Sequence, residues 1–142
     1  RTKVIGSSMS PTLADGDNLI VDKLSYRFHD PDRFDIIVFP QEDGRYFIKR
    51  IIGLPGETVQ ILDGSVYING EKLEEHYGNE VMEEAGIAAE PVTLGVGEYF
   101  VLGDNRNNSE DSRHNGMGLV DSDRIVGKLW FTISPWKKIG FV

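Results

Sequence analysis

Short apolar runs rich in Val, Ile, Phe and Tyr recur along the chain, and Gly, Pro, Asp or Asn closes nearly every one. That punctuation predicts strands over 18–21, 34–39, 46–52, 58–62, 65–68, 99–102 and 125–133. Asp63-Gly64 separates two of these runs as a hairpin turn, because a type I′ turn needs positive φ at both central residues. Asn69-Gly70 repeats the signal, and Gly53-Leu54-Pro55-Gly56 predicts a further turn. No amphipathic run of helical period exceeds a few residues, so 79–85 is expected as one short helix or an acidic loop. The pattern predicts an all-β fold, closed or two-sheeted, with an excursion in its middle.

Charge sharpens that excursion. The 142 residues suit one domain and carry a formal net charge of −8. Residues 62–98 hold nine acids against the single base Lys72, so the rest of the chain is balanced. The organisation expected is a β core over 1–61 and 99–142, with 62–98 as an acidic inserted lobe and not an independent domain. A net acidic chain without a basic stripe argues against a nucleic-acid partner. There is no cysteine, which excludes disulfides, cysteine zinc sites and thiol nucleophiles. No apolar run approaches the ~20 residues of a membrane helix. The start at Arg1-Thr2-Lys3, without Met, reads as a piece of a longer protein whose membrane anchor lies upstream.

Several motifs match chemistry without carrying it. Ser134-Pro135-Trp136-Lys137 fits S-x-x-K, but the helix and companion motifs of that chemistry are absent from the sequence. The run from Asp104 to Ser109 resembles a calcium loop, yet Arg106 takes a ligand position and no Gly follows at the sixth. Asn107-Asn108-Ser109 fits the short glycosylation pattern, which often occurs by chance. His29, His76 and His114 lie in polar stretches and read as solvated, with His114 the fallback for a triad. Their scatter supports no metal site.

Three segments remain. Gly6-Ser7-Ser8-Met9-Ser10-Pro11-Thr12-Leu13 is a small-residue turn opening the first long strand; alone it reads first as an ordinary Ser-rich turn. Lys49 stands inside the apolar run Tyr46-Phe47-Ile48-Lys49-Arg50-Ile51-Ile52. It is either an edge charge that blocks aggregation or a desolvated amine whose lowered pKa suits a general base. Arg50 cannot take that role, because a guanidinium stays protonated. Adjacent strand residues also point to opposite faces. Residues 103–113 are dense in short polar groups, which suits either a rigid loop bracing a site or a solvated one.

Together and in this order, these blocks resemble type I signal peptidases. Gly6 to Leu13 matches G-x-S-M-x-P-T-L, and 34–39 and 46–57 resemble the next strand and the lysine block. Residues 103–113 match G-D-N-R-x-x-S-x-D-S-R, and 116–127 resemble the closing block. The resemblance implies a signal-peptidase/LexA-like β-fold of antiparallel sheets with a β-rich insertion. It implies a Ser-Lys dyad with Ser8 as nucleophile and Lys49 as general base, and neither cofactor nor metal. Ser109 would position the amine, with Met9 and Arg50 as supporting residues. Asp104, Arg106, Asp111 and Arg113 would brace the loop through ion pairs that reach Arg50. The Ser8 backbone N–H would hold the oxyanion. Many Gram-negative members carry a serine donor where this chain has Gly6, so the second donor stays open.

The implied substrates are secretory preproteins cut after Ala-X-Ala-like sites, lying extended along a wall that includes Asp17, Leu19, Val21, Ile36 and Val38. The implied location is the cell membrane, single-pass anchored, with the catalytic part extracytoplasmic. Trp130 and Trp136, with Phe131 and Phe141, are candidates for the membrane interface or for ordinary core. The acidic stretch is expected to face away from an anionic membrane. A self-cleaving LexA-like Ser-Lys domain and a non-catalytic peptidase-like assembly factor are the rival classes. The first lacks a visible DNA-binding segment, and the second would not keep both Ser8 and Lys49.

Overall fold

The computed structural model describes residues 2–3, 6–41, 43–78, 80–133 and 139–141. The chain is all-β among these residues, in two antiparallel sheets. Strands β1 (Thr2–Lys3), β2 (Asn18–Asp22), β3 (Ile36–Pro40), β4 (Tyr46–Gly53), β9 (Glu98–Leu102), β10 (Val120–Asp121), β11 (Gly127–Ile133) and β12 (Ile139–Phe141) build the larger sheet. Its order is β1-β2-β11-β3-β4-β9-β10, with β12 on β11. Strands β5 (Thr58–Leu62), β6 (Ser65–Ile68), β7 (Glu71–Lys72) and β8 (Val92–Thr93) build the smaller one in the order β7-β6-β5-β8.

The turns fall where the sequence demands positive φ. Asp63 and Gly64 close β5 onto β6 with φ of 50° and 79°, and Asn69 and Gly70 close β6 onto β7 with 51° and 83°. Each expected strand is present with ends shifted by up to two residues. Of the two alternatives for 79–85, the loop is what 80–85 adopt: they are irregular, and a 3₁₀ turn follows at Gly86–Ala89. Gly86, at positive φ, opens that turn against Arg113, where a Cβ would meet the Arg113 carbonyl oxygen at 2.0 Å.

The two sheets share one core. Val59, Ile61, Val66, Met82 and Leu94 pack with Ile52, Phe100 and Leu102 of the larger sheet. The smaller sheet begins at Thr58, ahead of the acid-rich stretch. A second cluster, Met9, Leu13, Leu19, Ile36 and Leu129, anchors the 6–17 turn to β2, β3 and β11. A third, with Ile37, Phe39, Ile51 and Val101, fills the other face of β3, β4 and β9.

No helix among the described residues is long and apolar enough to cross a membrane. Trp130 is 48% exposed. Phe131 and Phe141 are register partners across β11 and β12, and Trp136 lies outside the described residues.

Candidate active site

The site assembles where β9 runs out. Gly103 follows its last residue and has no room for a side chain: a Cβ there would lie 2.1 Å from Ser109 Oγ and 2.5 Å from the Ser8 carbonyl oxygen. Glycine therefore lets the turn carrying Ser8 and the loop carrying Ser109 close on one point. The next residues fasten them together. Asn105 N donates to Ser8 O at 2.8 Å, and Asn105 Nδ2 donates to Ser7 O at 2.9 Å. The turn is held internally by Gly6 N donating to Asp15 Oδ1 at 2.9 Å and Leu13 N to Met9 O at 3.0 Å. Gly6 has φ +93°, a conformation that a serine would adopt only with strain. Buried Met9 and Leu13 pin the turn from below, and half-buried Ser8 sits above them.

Lys49 comes from β4, where Ile37 is its register partner. Its side chain is enclosed, with 3% of the residue exposed, and Nζ donates to Ser109 Oγ at 3.2 Å. The Phe47 ring lies 5.7 Å from Nζ. Burial disfavours the ammonium and pulls the pKa from 10.5 to about 8; Asp111 and Glu110 oppose the shift, and Arg113 adds to it. A neutral amine keeps a lone pair for a proton, and Ser109 holds it in place. The strand reads in alternation, as expected: Lys49 meets the loop's serine, while Arg50 meets its first aspartate.

That aspartate, Asp104, is the junction of the site. Arg50 Nε and Nη2 donate to its two oxygens at 2.9 and 2.8 Å, and Thr12 Oγ1 donates to Oδ2 at 2.5 Å. Asp104 N approaches Met9 Sδ at 3.4 Å. One buried carboxylate thus joins the strand of Lys49, the turn of Ser8 and its own loop. The bidentate fork fixes orientation as well as distance. The loop's far end is closed by Asp111, which accepts from Arg113 Nε at 2.8 Å, Arg113 Nη2 at 2.9 Å and Gly103 N at 3.2 Å. Arg113 Nη2 also donates to Arg106 O at 2.5 Å.

Arg106 makes its ion pair outside the loop. It pairs with no carboxylate of its own loop; its terminal nitrogens donate to Glu75 at 2.9 and 2.6 Å, across to the acidic stretch. Asp104 and Asp111 are already filled by Arg50 and Arg113, so a buried guanidinium needs another anion. The expected wall is also mostly covered. Leu19, Ile36 and Val38 are buried side chains of β2 and β3, and Asp17 is buried and accepts from Ala14 N at 2.9 Å. Val21 alone among the five is half-buried. Leu19 and Ile36 pack with Met9 and Leu13 of the turn.

Sequence reasoning passed over Thr12, Gly103, Glu75 and Tyr77 as separate contributors. Thr12 and Gly103 lay inside the matched motifs. Glu75 and Tyr77 carried no local signal. His114 is not between the serine and the lysine; its Nδ1 accepts from Asp111 N at 3.2 Å. No group of three or more His, Asp or Glu among the described residues is placed to hold a metal ion.

An all-β chain that brings a serine turn and a buried lysine of lowered pKa to one loop fits the serine hydrolases. The family profile described as signal peptidase, peptidase S26, matches residues 1–136. The protein named signal peptidase I T of Bacillus subtilis (strain 168) is 44% identical over 144 residues, covering 96% of this chain and 74% of that protein. Probable signal peptidase I-2 of Synechocystis is 41% identical, covering 96% of this chain and 63% of its own length. The crystal structure of a signal peptidase I from Enterococcus faecalis V583 superposes with a TM-score of 0.55 at 41% identity, over 70% of this chain and 96% of that one. The chain belongs to the signal peptidase family, peptidase S26, and with it to the serine-type peptidases that remove signal peptides.

Proposed function

We propose that Ser8 is the nucleophile and Lys49 the general base of this peptidase. The observation that carries the assignment is the enclosed Lys49 amine held 3.2 Å from Ser109 Oγ, beside the Ser8 turn. The neutral amine takes the Ser8 hydroxyl proton as Oγ attacks the scissile carbonyl carbon, giving a tetrahedral oxyanion. Collapse breaks the C–N bond, and Lys49 returns the proton to the leaving amine. Water, deprotonated by the same amine, then attacks the acyl ester and frees Ser8. The Ser8 backbone N–H is the oxyanion donor that the sequence supplies; Gly6 offers no side-chain donor, and one such donor is worth about 2.7–4 kcal/mol.

The substrates are secretory preproteins with small residues first and third before the scissile bond. Main-chain pairing along the cleft supplies affinity, because the flanking strand side chains are committed to the core. The family is membrane-associated with its catalytic part extracytoplasmic, and a single-pass anchor joined to this chain fits that placement. Cleavage of a preprotein by wild type, Ser8→Ala and Lys49→Ala tests the assignment. Loss of cleavage in both variants is expected; equal cleavage by all three would remove the dyad.

A further inference from the structure

The acid-rich stretch reaches the site at two arginines, Arg106 of the catalytic loop and Arg50 of β4. Buried Arg106 donates from Nε to Gly103 O at 2.8 Å, and its two terminal nitrogens grip both oxygens of Glu75. Two residues further on, the Tyr77 ring covers the Arg50 guanidinium, with Cζ 3.6 Å from the ring centroid. That guanidinium is the one that chelates Asp104. The nucleophile turn rests against Gly103 and Asp104, through the Ser8 carbonyl and the Thr12 hydroxyl, and is bonded to Asn105 beside them. Gly78 leaves the Arg106 guanidinium its space: a Cβ would lie 2.8 Å from Nη1. Glu75 and Tyr77 are thus each one side chain removed from the catalytic loop's first two residues.

We infer that Glu75 and Tyr77 are positioning residues for the peptidase reaction, acting through Arg106 and Arg50 on the placement of Ser8 and Ser109. The inference rests on the Ser8–Lys49 assignment. Without Glu75 a buried guanidinium has lost its carboxylate and must find other acceptors. Its remaining tie is the Gly103 carbonyl, so its displacement carries Gly103, and with it the spot where Ser8 and Ser109 close. Without the Tyr77 face, Arg50 loses a cation–π cover and Asp104 a fixed partner. Neither residue touches the reacting atoms, so the effect falls on the geometry of attack and not on substrate binding. Misplacement of that kind, by about 1 Å, costs on the order of 10²-fold in rate.

The test measures kcat and KM on a preprotein-derived peptide with the intact protein, alongside thermal midpoints and the pH profile of kcat/KM. The variants are Glu75→Gln, Tyr77→Leu and Tyr77→Phe, with Glu71→Gln on exposed β7 as the control. The expected result is a kcat about tenfold or more lower for Glu75→Gln and Tyr77→Leu, at KM within about twofold. Tyr77→Phe, which keeps the ring face, recovers most of the rate. Folded variants with wild-type kcat overturn the inference, as does a rise in KM at unchanged kcat. Should Glu75→Gln not fold, Tyr77→Leu decides alone. Full activity in Ser8→Ala or Lys49→Ala in the same assay would instead sink the dyad, and is read independently of the lobe variants.

Discussion

Lys49 Nζ and Ser109 Oγ meet at 3.2 Å although 60 residues separate them. The contact joins β4 to the loop after β9, and it immobilises an amine that burial has made easy to neutralise. A lysine at its ordinary pKa of ~10.4 is almost wholly charged at pH 7. At about 8, roughly a tenth of it is free base.

The rate should follow that fraction. The base works only when neutral, so kcat/KM should rise as pH climbs through about 8 and level off above it. A pH–rate profile over 6 to 10 checks this on the intact enzyme. An acid limb centred well above 9 would place the working base elsewhere.

Stability should move in the same window. The folded pKa of Lys49 lies below the unfolded value, so the unfolded chain binds more protons between about 8 and 10.5. The cost of burying Lys49 is complete below pH 8 and fades as pH rises toward 10.5. Lys49→Met should therefore be inactive yet more stable at pH 7, by up to about 3 kcal/mol, with the gain shrinking toward pH 10. Denaturant midpoints at the two pH values measure it; an equal gain at both would contradict the linkage.

Ser109→Ala removes the hydroxyl that holds the amine and leaves a cavity of one atom. Its fold should survive, while kcat drops about 10- to 100-fold with little change in KM. Unchanged kcat would show that Lys49 is positioned without it.

Gly103→Ala probes the meeting point itself. The added methyl would stand 2.1 Å from Ser109 Oγ and 2.5 Å from the Ser8 carbonyl, so one of them must move. Activity should fall by more than about 100-fold. Cleavage near the wild-type rate would mean that the turn and the loop need not close so tightly.

Arg50→Ala strips the buried Asp104 of its fork. Breaking such a pair from one side costs about 3–5 kcal/mol. Chemical denaturation of the variant against wild type reads the loss directly. A change below about 1 kcal/mol would show Asp104 satisfied by Thr12 alone.

How much of this was legible depended on range. Ser8, Lys49 and Ser109 stood in short motifs whose residue types already fit their chemistry, and Asp63-Gly64 and Asn69-Gly70 dictated their turns by φ alone. The ion pairs of the loop carrying Asp104 were expected to reach Arg50 on its strand. The partner of Arg106 was not expected, because Glu75 is one of nine acids in a stretch with no feature to single it out. Only folding brings it to the arginine. The burial of Leu19 and Ile36 was not legible for a related reason. Apolar residues on β2 and β3 serve the core or a cleft equally well as far as composition tells, and the Met9–Leu13 turn covers them. The acidic stretch, which sequence set apart as an excursion, shares the core and grips the loop.

The central claim is that Lys49 is a base with a near-neutral pKa, and its own titration tests that most directly. An NMR titration of the Lys49 side chain, assigned by its loss in Lys49→Met, should give a midpoint near 8. A midpoint near 10.5 would mean a charged lysine at working pH, and the account of Ser8 activation would fall.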